Sequence, residues 1–191
     1  MFSTPRELLT AYNDGLVGSW CDPEDTDKLL GELPHPLFGV AASDLYSSGK
    51  GKVALLFKSV QKYDPTFGSH ERQTTGDCVS HSTRNAVDVT RCHEIVGGQR
   101  EDFVARGATE AIYGSRGHGG QGMSCSVAAR FVHQNGGILV RKDYGFVDFS
   151  KYNSRIGTNW GRTGVPSDVR QEARKHQVKT ISLVKSVEEA R

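Results

Sequence analysis

Apolar positions in this chain are spaced mainly for short helices separated by glycine-rich loops. Val53, Leu56, Phe57 and Val60 recur at helical intervals, and Asp64-Pro65 marks the stop. After a loop over 67–77, a longer helix is predicted to start at or near Cys78. Its expected face is Cys78, Ser82, Asn85, Val89 and Cys92, widened by Ala86 and Val87. These side chains are small, so a neighbour packing closely against them is expected. Gly97-Gly98 ends the pattern, and an irregular stretch runs to Gly122. Ser124 is placed to cap a second helix through Val127, Ala128, Phe131 and Val132, ended by Asn135-Gly136-Gly137. Residues 138–140 read as a short strand. Residues 141–165 read as a loop anchored by Tyr144, Phe146, Phe149, Tyr152 and Trp160. Pro166 and Ser167 open a third helix to about His176, and 178–184 reads as a strand.

The first fifty residues follow a different pattern. They are polar and turn-rich, with short helical pieces expected around 5–12 and 24–31, and Pro34, Pro36 and a Ser/Gly/Lys run at 47–51 between them. This reads as an N-terminal extension over 1–70 and a core over 71–191. At the other end, Ser186 and Glu189 have capping-box spacing, which announces a helix. Only about one turn of it follows, too little to outweigh the cost of nucleation. The expectation is a chain truncated within a longer fold.

Composition narrows the classes. A chain of 191 residues with 36% hydrophobic and 24% charged residues is that of a globular protein. The net charge of +2 and the absence of a long basic block argue against a nucleic-acid partner. No segment approaches the ~20 apolar residues of a membrane span. The start lacks the basic-then-apolar run of a signal peptide, so a cytoplasmic location is expected. The four cysteines, Cys21, Cys78, Cys92 and Cys125, show no close pairing, and read as reduced thiols. The spacing of Cys78, His81, Cys92 and His93 on one helix does not make a zinc site, and no metal or other cofactor is expected.

Chemistry concentrates in Gln73-Thr-Thr-Gly-Asp-Cys78-Val-Ser-His81. A thiol at a helix start gains from the helix's unsatisfied N–H groups and dipole, which favour the thiolate. The same N–H groups can hold an oxyanion when a carbonyl is attacked, and an upstream glutamine can add a donor. Gly76 lets the loop turn tightly into the helix. The plainer alternative is a small residue buried where a helix begins.

Further on stand Gly119-Gly120, the helix after Ser124, Asn135-Gly136-Gly137-Ile138 and Asp143-Tyr144-Gly145. A glutamine loop, a nucleophile helix, a Gly-Gly segment, a short helix, a Gly-Ile strand start and a Tyr-containing turn follow one another in papain-like cysteine peptidases. Over residues 70–145 this chain resembles that superfamily, and its Gly-Asp-Cys triplet resembles the calpain branch. The resemblance implies Cys78 as nucleophile, Gln73 as oxyanion donor, and Gly119 and Gly120 as backbone for an extended peptide or protein substrate. Gln73 stands one residue nearer the cysteine than the family's glutamine usually does, and Val79 replaces the aromatic residue that usually follows the nucleophile.

The implied fold is α+β: the helical half of a papain-like domain, preceded by the N-terminal extension. Papain-type enzymes carry their histidine about 130–150 residues after the nucleophile, which here falls beyond roughly residue 208. The expectation is therefore a chain lacking the histidine-bearing half. The two functional expectations are a cysteine peptidase that depends on that half, and a non-catalytic assembly subunit on the same scaffold. For the second, Trp160-Gly161 and Gly164-Val165-Pro166 resemble papain-like proteins of tailed phages. That likeness implies neighbouring subunits as partners and a host-cytoplasmic or virion location.

Overall fold

A computed structural model describes residues 51, 55–69, 71–98, 102–182 and 184. The helical pieces expected within 1–50, and the helix announced by Ser186 and Glu189, lie outside the described residues. Six α-helices occur among the described ones: α1 (Phe57–Tyr63), α2 (Cys78–Val96), α3 (Glu110–Gly114), α4 (Cys125–Arg130), α5 (Ser154–Thr163) and α6 (Ser167–Ala173). A wide turn over Phe131–Asn135 extends α4, and a tight one over Arg174–His176 extends α6. No helix among these residues is long and apolar enough to cross a membrane.

The described residues are mostly helical and do not show a papain-like fold. Both expected strands are corrected. Residues 138–140 are extended, but only Val140 pairs, in an isolated antiparallel bridge with Gly107. Their hydrogen bonds go to either side: Ala108 N–H donates to Leu139 O, and Ile138 N–H to His176 O. With different neighbours on its two flanks, the segment forms no ladder. Residues 178–182 and 184 form no strand either. Val178 N–H donates to Val132 O, and Val178 and Ile181 pack on the core as an irregular cover.

Several sequence signals act as expected. α1 ends before Pro65, and Gly97-Gly98 terminates α2, with Gly98 at φ +88°. Ser124 Oγ accepts from Val127 N–H and caps α4. The third predicted helix is α6, starting at Ser167.

The face of α2 is different. Ser80, Arg84, Asp88 and Cys92 are buried, four residues apart, whereas Cys78, Ser82 and Asn85 are exposed. A polar stripe can go inward because its charges meet partners. Asp88 accepts Gly107 N–H on both carboxylate oxygens, at 3.1 and 3.0 Å. Arg84 lies 3.5 Å from Glu71. Glu71 in turn binds Arg141 at 2.7 and 3.0 Å, and Arg141 binds the buried Glu110 at 2.8 and 2.7 Å. Burial alone would weaken the charge on Arg141; Glu110 and Glu71 outweigh it and hold the proton more firmly than usual. A second clamp joins the end of α1 to this layer. Arg106 binds Asp64 at 2.5 Å and the carbonyls of Ser69 and Thr66 at 2.9 and 2.7 Å.

Two helices fall where loops were expected. All five residues of α3 are buried, and α3 packs against α5. Gly157 and Gly161, one turn apart on α5, allow that approach. A Cβ on Gly157 would stand 3.0 Å from Glu110 O, and one on Gly161 would overlap the Arg116 guanidinium. Arg116, just after α3, lies over the Tyr113 ring and donates to the carbonyls of Tyr113, Gly157, Thr158 and Gly120. Around this pair the core gathers Ile112, Phe131, Leu139, Phe149, Val165 and Val169.

Candidate active site

Cys78 is the first residue of α2 and is exposed. The 19 residues of α2 run without glycine or proline, so their peptide dipoles add along one axis. The first backbone bond of the helix is His81 N–H to Asp77 O, at 3.1 Å. The amides before it have no intrahelical acceptor by geometry.

Asp77 stands at the cap position, where an aspartate ordinarily accepts one of those amides. Here it makes no side-chain cap bond. Its carboxylate is buried and turned inward, with Oδ2 accepting from the Tyr152 hydroxyl at 2.7 Å. Burial, then the hydrogen bond to Asp77 and its negative charge, push the Tyr152 phenol up to about 12. The Asp77 carboxylate is thus held away from the end of α2 by a donor on a distant segment.

His81 belongs to the same cluster. Its Nε2 lies 3.4 Å from Asp77 Oδ2, its Nδ1 lies 3.3 Å from Arg84 Nη2, and its ring meets Tyr152 edge-on. Both ring nitrogens face these neighbours on the inner side of α2. Nε2 makes no hydrogen bond among the described residues, so His81 meets Asp77 by proximity and Tyr152 by ring packing.

The loop before Cys78 is fastened to the loop carrying the glycine pair. Gln121 Oε1 accepts from Gly76 N–H and from Thr75 Oγ1, the latter at 2.8 Å. Gly122 N–H donates to Gly76 O at 3.1 Å. Gly76 has to be small here, since a Cβ would stand 2.7 Å from Gln121 Oε1 and 2.9 Å from Gly122 N. Thr74 adds a 2.8 Å bond to Ser154 at the start of α5.

The expected site residues are distributed as follows. Gln73 is exposed on this loop, and its Nε2 donates to Thr75 O at 2.6 Å, inside the loop itself. Gly119 faces the stem of Arg162, and Gly120 lies under His118. The Gly120 carbonyl is taken by Arg116 at 3.0 Å. The structure thus joins the Cys78 loop to the Gly119-Gly120 loop, and gives Gln73 a partner of its own. The residues the sequence did not single out for this site are Asp77, Gln121 and Tyr152. Gln121 directly follows the glycine pair, which was the available signal. Nothing in the sequence tied Tyr152 to Asp77, 75 positions away.

The other thiols differ in setting. Cys92, near the far end of α2, is fully buried, and burial followed by the nearby Asp88 charge raises its thiol above the usual range. Cys125 is exposed at the start of α4. No group of three His, Cys, Asp or Glu side chains able to hold a metal ion occurs among the described residues. Comparison with known proteins gives no match to a family model, a curated protein or a solved structure.

Proposed function

We propose that the start of α2 is a thiol acyl-transfer site of the papain-like kind, with Cys78 as nucleophile and peptide or amide bonds as substrate. One observation carries this reading: Asp77 occupies the cap position without capping, so the end of a long helix is left to the exposed thiol beside it. In the proposed reaction a histidine takes the Cys78 proton. The thiolate adds to the carbonyl carbon, and first-turn amides of α2 hold the oxyanion. The amine leaves with the proton returned by the histidine, and water cleaves the thioester to release the acid and the thiol. Gln73 would join as a donor once its amide leaves Thr75 O. Gly119 and Gly120 would line the path of an extended peptide.

The base is assigned to a histidine other than His81, whose nitrogens face Asp77 and Arg84. The same inward setting of His81 favours the second reading, a non-catalytic assembly subunit that binds neighbouring subunits.

A peptidyl epoxide, followed by mass mapping of all cysteines, separates the two. The expected result is labelling concentrated at Cys78 and lost in Cys78→Ala. Equal labelling of Cys78 and Cys125 would remove the activated nucleophile. His118→Ala adds an arm: lost labelling at Cys78 places the base on the glycine-pair loop, and unchanged labelling assigns it elsewhere. The assembly reading is checked by sedimentation of the natural product, where a monomer bound to no particle contradicts it.

A further inference from the structure

A cavity of about 390 Å³ opens between the turn after α3, the α4 helix with its wide turn, and the start of α6. Its charged lining consists of three arginines, Arg116, Arg130 and Arg170, and no carboxylate. The ion pairs among the described residues involve His81, Arg84, Arg91, Arg106, Arg141 and Lys175, and none of these three. Arg116 is buried with only 6% of its surface exposed; all its hydrogen bonds go to neutral carbonyls, and it lies over the Tyr113 ring. Carbonyls satisfy its N–H groups without balancing its charge, which burial makes costly to leave alone. Arg170 spends only its Nε, on Val165 O at 3.0 Å. Elsewhere the buried arginines of this protein do meet carboxylates, as Arg141 meets Glu110 and Glu71.

We propose that this cavity binds the oxyanion group of a small organic anion, a phosphoryl or carboxylate head. Guanidinium forks match the paired oxygens of such groups, and the volume lies in the range of small-molecule sites. Val127, Phe131 and Val165 supply an apolar wall for the body of the ligand, and Asn135 lies at the same rim. The proposal does not depend on Cys78. It does touch the same framework, because Arg116 also holds the Gly120 carbonyl.

The test is calorimetric titration of the full chain with inorganic pyrophosphate and with citrate. Saturable binding is expected for at least one of them, weakened about tenfold by Arg130→Gln or Arg170→Gln, and more by the pair. Both side chains are partly or fully exposed, and circular dichroism checks that the variants remain folded. Amide shift mapping with the bound probe should report Gly114–Gly117 and Arg170. The proposal is overturned by a folded wild type that binds neither probe, by binding unchanged in the double variant, or by shifts confined to another surface.

Discussion

Two helices of this protein begin with an exposed cysteine, and their beginnings are built in opposite ways. At α4, Ser124 turns its hydroxyl onto Val127 N–H and closes the end. At α2, the acidic residue in the equivalent place is pulled inward by Tyr152 and makes no cap bond. The first arrangement is the ordinary stabilising one. The second forgoes a cap of about 1 kcal/mol and keeps the carboxylate turned away from the first-turn amides beside an exposed thiol. The difference teaches where to look for function: at a helix end where a residue suited to cap has been recruited elsewhere.

The comparison can be broken most severely at Gly76. Gly76→Ala would press a methyl against Gln121 and the Gly122 backbone, parting the two loops that set the start of α2. A loss of about 3 kcal/mol is expected in urea unfolding, at the upper end of ordinary overpacking. Cys78 labelling should fall toward that of Cys125.

Tyr152→Phe is a subtler break. It removes the donor that holds Asp77, whose other oxygen, Oδ1, is buried without a hydrogen-bond partner among the described residues. About 2 kcal/mol should be lost, and the freed carboxylate should swing to cap α2, again slowing the reaction of Cys78. A Cys78 as reactive as in wild type would mean that the inward turn of Asp77 has no bearing on the thiol.

Ser124→Ala sharpens the comparison from the other side. It should cost about 1 kcal/mol and, by opening the end of α4, raise the labelling rate of Cys125. An unchanged rate at Cys125 would show that capping does not govern thiol reactivity in this protein.

The smallest effect is a titration. The folded phenol of Tyr152, at about 12, lies above its ordinary value of 10.0. Its contribution to stability is therefore complete below about pH 10 and lost as pH rises through about 12. Difference absorbance between wild type and Tyr152→Phe should show a phenolate appearing only near that upper limit. Ionisation near pH 10 would mean that the bond to Asp77 is not made.

Much of the helical framework was legible because it rests on local signals: Asp64-Pro65, Gly97-Gly98, the Ser124 cap and Pro166-Ser167. The burial pattern of α2 was not, because the inward residues are charged. Arg84 and Asp88 lie inside where Glu71 and Gly107 approach them, and those partners come from elsewhere in the chain. α5 was concealed by its own packing device. Gly157 and Gly161 weaken a helix in isolation, and their use emerges only with α3 against them. The strands expected at 138–140 and 178–184 failed for a related reason. β-branched residues favour extension, but a strand also needs an edge that continues in register, and Val140 finds a single bridging partner. Of the site, the position of Cys78 at a helix start agrees with the sequence reading, and the tie between its loop and the glycine-pair loop through Gln121 is a finding of the structure. The turning of Asp77 toward Tyr152 is a tertiary choice between two good acceptor roles for one carboxylate.

The four carbonyls gathered by Arg116 have a consequence for motion. Two belong to the end of α3 and the loop after it, and two to the middle of α5, so one guanidinium spans three pieces of chain. None of these pieces can open without leaving buried N–H groups of Arg116 unsatisfied. Amide exchange should therefore report α3 and the middle of α5 as one cooperative unit, protected to the same degree although more than forty residues separate them along the chain. A lysine at this position would offer one compact ammonium in place of a planar fork, and would divide that unit in two.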